Sequence, residues 1–148
     1  MEELKAKNDG TDPKKNDGSS KEVDATDRNC FMQIVNNSGG TITKVSLTHS
    51  SGDTNDVISM PSMNNGDTSF QKQISYETGW FADFDYWNIS FNIGSTVYNT
   101  PYNDRCNIAY EDAGKVINCI ITKKTDGNYN LETKMPKSSS CNFVIKKN

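Results

Sequence analysis

The sequence predicts an all-β fold, an antiparallel β-sandwich of about eight or nine short strands. Three observations point there. From Cys30 onward, β-branched and aromatic runs are separated by clusters of Gly, Asn, Asp and Ser. No segment of helical length repeats apolar residues at i, i+3 and i+4. The clearest run, YWNISFNI, sets Trp87, Ile89, Phe91 and Ile93 against Asn88, Ser90 and Asn92 in strict period two, which places Trp87 on an inward face.

The elements follow in chain order. Residues 1–29, with the repeat-like KNDGTDPKKNDGSS, have almost no apolar residues and read as a disordered polar tail, so the folded domain is expected over 30–148. The tail also explains a mean hydropathy of -0.76 in a chain of 148 residues, a length that suits one domain. Candidate strands are 30–37, 43–49, 67–75, 86–93, 95–99, 106–110, 115–122, 128–133 and 141–147. Turn chemistry separates them at NNSGG (36–40), SSGDTND (50–56), NNGD (64–67), IGS (93–95) and TDGN (125–128). Pro61 and Gly66 mark an irregular connection.

Just before the alternating strand, GWFADFD shows no periodicity and interleaves Trp80, Phe81 and Phe84 with Asp83 and Asp85. It reads as a loop. Large aromatics in a loop either fold back over an open end of the sandwich or form a contact patch for a sugar or a membrane interface. The residues Trp80, Phe81, Asp83, Phe84 and Asp85 are therefore the candidate ligand-binding set.

Four cysteines stand at 30, 106, 119 and 141, with no C-x-x-C pair and a single histidine, His49, so a zinc site is not expected. A hairpin of 106–110 with 115–122 would set Cys106 opposite Cys119 at bridging distance, leaving Cys30 and Cys141 to clamp the first and last strands. Other pairings and buried free thiols stay open.

No glycine-rich phosphate loop, HExxH or GxSxG occurs, and a lone histidine at a strand end reads as surface, so no catalytic residues are assigned and an enzyme is not expected. Calcium is the one cofactor considered, because Asp83, Asp85, Asp104, Glu111 and Asp112 supply hard oxygen donors; EF-hand spacing is absent. The sequons at Asn36 and Asn88 are weak motifs in so Asn-rich a chain.

Net charge is -3, with an acidic middle (30–118) and a basic end (119–148) that carries Lys123, Lys124, Lys134, Lys137, Lys146 and Lys147. Those lysines are spread rather than clustered, which argues against nucleic acid and for a solvated edge. Neither a signal peptide nor a transmembrane segment is read. The cysteine pattern and the Asn/Ser/Thr-rich composition lean towards an extracellular or exported protein.

The series IVNNSGGTITKVSLTHS, NNGDTSF, DYWNISFNIGSTVY and RCNIAYEDAGKVINCII resembles the small domain family "up-regulated in Daf" over residues 31–123. The resemblance implies a compact, noncatalytic β-sandwich, similar in shape to the aegerolysins, which recognise membrane lipids. It carries no functional residues across, and the hairpin 128–147 with Cys141 reads as an addition to the family pattern. The expectation is a binding module contacting a membrane lipid headgroup or a glycan through the aromatic and acidic loop. The alternative is a structural or protein-interaction domain with no small ligand.

Overall fold

The computed structural model describes residues 25–148. The polar segment 1–24 lies outside them. Ten strands follow in order: β1 (Thr26–Asn37), β2 (Ile42–Ser51), β3 (Thr54–Met63), β4 (Lys72–Thr78), β5 (Asp85–Ile93), β6 (Thr96–Asn99), β7 (Asp104–Arg105), β8 (Val116–Lys123), β9 (Tyr129–Lys134) and β10 (Cys141–Lys147). Among the described residues one 3-10 turn, Tyr110–Asp112, interrupts them.

The hydrogen-bonded order is β3-β2-β5-β6-β10-β9-β8-β1-β4, with β7 added to β5. One continuous sheet thus folds over on itself into a sandwich that nearly closes as a barrel, with β3 and β4 as its two free ends. The halves join through a short zipper of two pairs, Lys146 with Asn99 and Lys147 with Tyr98. The all-β class expected from the sequence is what forms. One pair departs from the antiparallel rule: β1 runs parallel to β8, with Phe31 beside Val116 and Ile34 beside Cys119.

Alternation builds the core. Cys30, Met32 and Ile34 of β1, Trp87, Ile89 and Phe91 of β5, Ile117, Cys119 and Ile121 of β8, and Leu131 of β9 all point inward and are buried. In β2 a bulge between Thr43 and Ser46, with Lys44 at φ 49, lets both Ile42 and Val45 face the core and sets the inward phase of Leu47, His49 and Ser51.

Three elements differ from the sequence reading. First, β1 begins at Thr26, so Thr26–Asn29, placed in the tail, are ladder residues paired with Ser75–Thr78 of β4. Their polarity fits a strand end whose side chains are mostly solvated. Second, β3 occupies the stretch read as a turn and an irregular connection. It is a sheet-end strand, largely exposed, and so tolerates Pro61 and lacks clean alternation. Third, 106–110 is not a hairpin strand: residues 104–108 lie along β5 and the chain then turns through Tyr110–Asp112.

Candidate functional site

The loop between β4 and β5 starts at Gly79, whose φ of 117 lets the chain leave the ladder. Beyond it Trp80 is 91% exposed and Phe81 73% exposed, whereas Trp87, seven positions on, is 0% exposed. The aromatic stretch divides near Asp85: rings before it face solvent and rings after it build the core. Phe84 is held from one side by Arg105, whose guanidinium carbon lies 4.3 Å from the ring centroid.

The loop is tied down at its acidic positions. The Asp83 N–H donates to Glu77 Oε1 at 2.9 Å, and the Asp83 carboxylate packs against the β2–β3 turn so closely that a Cβ at Gly52 would collide with it. Gly52 has φ 58, the left-handed geometry that a two-residue hairpin turn of Gly-Asp requires between the paired residues Ser51 and Thr54.

Beside this loop the free ends of the sheet leave a polar cleft of about 480 Å³. It is lined by Asp27, Arg28 and Asn29 of β1, Ser51, Asp53 and Thr54 at the β2–β3 turn, and Ser75, Tyr76 and Glu77 of β4. Glu77 belongs to both features, since it lines the cleft and anchors Asp83. Arg28 donates from Nε to Thr78 Oγ1 at 2.7 Å and lies near the Tyr110 ring, which orients its guanidinium.

Asp85, grouped with the loop in the sequence reading, is instead the first residue of β5 and is buried. Its Oδ1 lies 2.7 Å from His49 Nε2, and its Oδ2 accepts the Ile108 N–H at 2.9 Å. The Asn107 side chain accepts the Asp85 N–H at 3.0 Å. On the other side, His49 Nδ1 is 3.1 Å from Asp56 Oδ2. His49 is thus no surface residue: it is enclosed, stacked obliquely on Trp87 at 4.8 Å, and bracketed by two carboxylates. With every polar atom of the Asp85 side chain engaged inside the protein, this residue holds the fold rather than a surface ligand.

The carboxylates considered for calcium do not converge. Asp112 is buried and accepts from the N–H groups of Ala109, Lys137 and Ser138 and from the Ser138 hydroxyl. Burial works to raise its carboxyl, but these hydrogen bonds outweigh it and hold the group below the ordinary carboxylate range. Asp104, by contrast, is raised by desolvation. Among the described residues no group of three or more His, Cys, Asp or Glu is placed to hold a metal ion.

The cysteines pair differently from the expected hairpin bridge. Cys106 is bonded to Cys141, with Cα atoms 6.1 Å apart, and Cys30 and Cys119 are buried free thiols. The reason is the lost hairpin. Cys106 lies along β5, its N–H donating to the Asp85 carbonyl and its carbonyl accepting from Trp87 Nε1, both at 2.9 Å. There it meets the start of β10, while Cys119 faces inward beside Ile34 of β1. Burial, with the Asp112, Asp85 and Asp56 charges adding to it, pushes the Cys30 thiol up to about 12; burial pushes Cys119 up as well. Neither is a nucleophile at neutral pH.

Both sequons are structural. Asn36 is buried and donates to the carbonyls of Gly40 and Met63 while accepting the Ser38 N–H; Asn88 donates to Asn103 and accepts from Thr100. The cleft residues and His49 were missed in the sequence. For His49 the signal was present, since it continues the inward phase of Val45 and Leu47. For the cleft there was none, because its walls come from strands far apart in the chain.

No helix among the described residues is long and apolar enough to cross a membrane. A comparison with curated proteins finds no match. A family model described as "Up-Regulated in long-lived daf-2" matches residues 26–146, which takes in the β9–β10 hairpin that the sequence reading had set outside the family pattern. A match over that span, together with the all-β sandwich just described, places the chain in the up-regulated in long-lived daf-2 family.

Proposed function

We propose that this protein is a non-enzymatic binding module that meets a glycan with the Trp80–Phe84 loop and the polar cleft beside it. The observation that carries the reading is the 91% exposure of Trp80, a large flat ring left uncovered while Trp87 nearby is fully enclosed. An exposed indole presents an apolar face on which a pyranose ring stacks. Linked to the loop through the Glu77 contact with the Asp83 N–H, the cleft offers carboxylates, hydroxyls and an amide to sugar hydroxyl groups. A noncatalytic role is supported by the raised Cys30 thiol and by a histidine whose two nitrogens both face carboxylates.

A second reading is contact with a zwitterionic lipid headgroup. Phe81, 73% exposed beside Trp80, gives the loop an apolar tip of the kind that enters a membrane interface. Asp83 and Glu77 behind the tip disfavour an anionic surface unless calcium bridges. The Cys106–Cys141 bond supports an oxidising, extracellular or exported setting for either ligand.

The test is a glycan array and a vesicle panel, zwitterionic and anionic, each with and without calcium, on wild type and Trp80→Ala. Binding to a glycan that Trp80→Ala weakens while the melting temperature holds is the expected result. If wild type binds nothing on either panel, a structural or protein-interaction role replaces this one.

A further inference from the structure

The cleft is acidic in a way that the fold does not require. Asp27 and Glu77 are direct partners in the antiparallel β1–β4 ladder, so two carboxylates face each other across adjacent strands. Directly opposed like charges destabilise a sheet. Asp53 adds a third carboxylate from the β2–β3 turn, and among the described residues the one cationic residue of the lining, Arg28, is turned to Thr78 and Tyr110. A second observation points to an occupant. Ser51 also lines the cleft, only 6% exposed, on the inward face of β2, and its hydroxyl has no hydrogen-bond partner among the described residues. A buried hydroxyl without a partner carries a desolvation cost that a ligand donor or acceptor removes.

We infer that the cleft receives a protonated amine, and that the ligand class is a glycan carrying free amino groups, of the 2-amino-2-deoxy sugar type. This rests on the glycan reading above and narrows it. Trp80 supplies the stacking platform for one ring. An ammonium on a neighbouring ring sits against the opposed Asp27–Glu77 pair, where it relieves their repulsion, with Asp53 adding its charge from the turn at longer range, and a ring hydroxyl completes Ser51. Acetylation of the amine removes the charge and adds bulk, so an N-acetylated sugar loses both gains. Glu77 couples the two parts, because the same side chain that meets the ammonium also holds the Asp83 N–H and with it the loop.

The experiment is calorimetric titration of wild type with a tetramer of glucosamine and with the tetramer of N-acetylglucosamine, at low and high salt. The free-amine tetramer is expected to bind about tenfold more tightly, the size of two partly screened ion pairs, with the preference shrinking at high salt. Asp27→Asn and Asp53→Asn, both at exposed positions whose folding is checked by melting, are expected to erase the preference without abolishing binding that depends on Trp80. Equal affinity for the two tetramers overturns the amine assignment and leaves the glycan reading standing. So does binding of neither tetramer while another glycan binds in a Trp80-dependent way. If no glycan binds at all, both fall together.

Discussion

His49 Nε2 and Asp85 Oδ1 lie 2.7 Å apart in an interior that excludes solvent from both side chains. This contact joins two strands, since His49 pairs with Trp87 and Ser51 with Asp85 in the β2–β5 ladder, and through Asp85 it fixes the Ile108 N–H. Asp85→Ala strips the acceptor from His49 and from Ile108 at once. The expected loss is about 2 to 4 kcal/mol, because the His49 ring nitrogen and the Ile108 N–H are each left buried without this partner. Urea denaturation measures it, and a loss below about 1 kcal/mol would show that the network is dispensable.

The two tryptophans separate stability from contact. Trp87→Ala opens a cavity in the core and also deprives the Cys106 carbonyl of its donor, with an expected cost of about 3 to 5 kcal/mol. Trp80→Ala touches a solvated ring and should leave stability within about 0.5 kcal/mol of wild type. Equal melting losses for both would put Trp80 in the core.

Non-reducing peptide mapping should recover one linked pair, Cys106 with Cys141, and no bridge at Cys119. Reduction removes a constraint on a sequence separation of 35 residues, worth about 4 kcal/mol at most if chain entropy sets the effect. Cys30 and Cys119 should resist alkylation in the folded protein at neutral pH and react once urea exposes them. Labelling of either in the native state would contradict their burial.

Asp112 makes stability depend on acid. Its folded value is depressed, so the stability it contributes is present above the unfolded carboxylate value of about 4 and is lost as the pH falls through the lower folded value. Melting temperatures of wild type should drop across that window. Asp112→Asn should start lower at neutral pH and show a shallower acid decline; a parallel decline would assign the acid sensitivity to other groups.

Gly52→Ala tests whether the β2–β3 turn positions the aromatic loop. The substitution places a side chain at φ 58 and against the Asp83 carboxylate. About 1 kcal/mol of destabilisation is expected, together with displaced Trp80 fluorescence. Unchanged emission would uncouple the turn from the loop.

How much of this was legible depends on where each residue gets its environment. Trp87 was legible because a single strand with one face buried encodes its own orientation. The exposure of Trp80 followed from the absence of any such pattern around Gly79. β3 was not legible: as a strand at the free end of the sheet it needs no buried face, and Thr54–Met63 consequently carries Pro61 and mixed polarity. The cysteine pairing failed for a different reason. A hairpin between 106 and 119 is the shortest way to pair those runs, but the hydrogen bonds that Cys106 makes to Asp85 and Trp87 draw it to β5. Asp85 was grouped with its sequence neighbours, although its partners, His49 and Ile108, are 36 and 23 positions away.

The parallel pairing of β1 with β8 has a consequence for how the chain reaches this state. Gln33 and Asn118, joined by a side-chain hydrogen bond across that ladder, are separated by 85 residues, and β1 lies between β4 and β8 in the finished sheet. During synthesis, the first strand therefore emerges long before its second neighbour exists, and one of its edges stays open throughout. Loop closure over such distances is costly before the contacts that reward it form, which puts folding in the slow, milliseconds-to-seconds regime of non-local β topologies. That waiting edge runs along Phe31–Asn37, the residues that later pair with Val116–Thr122.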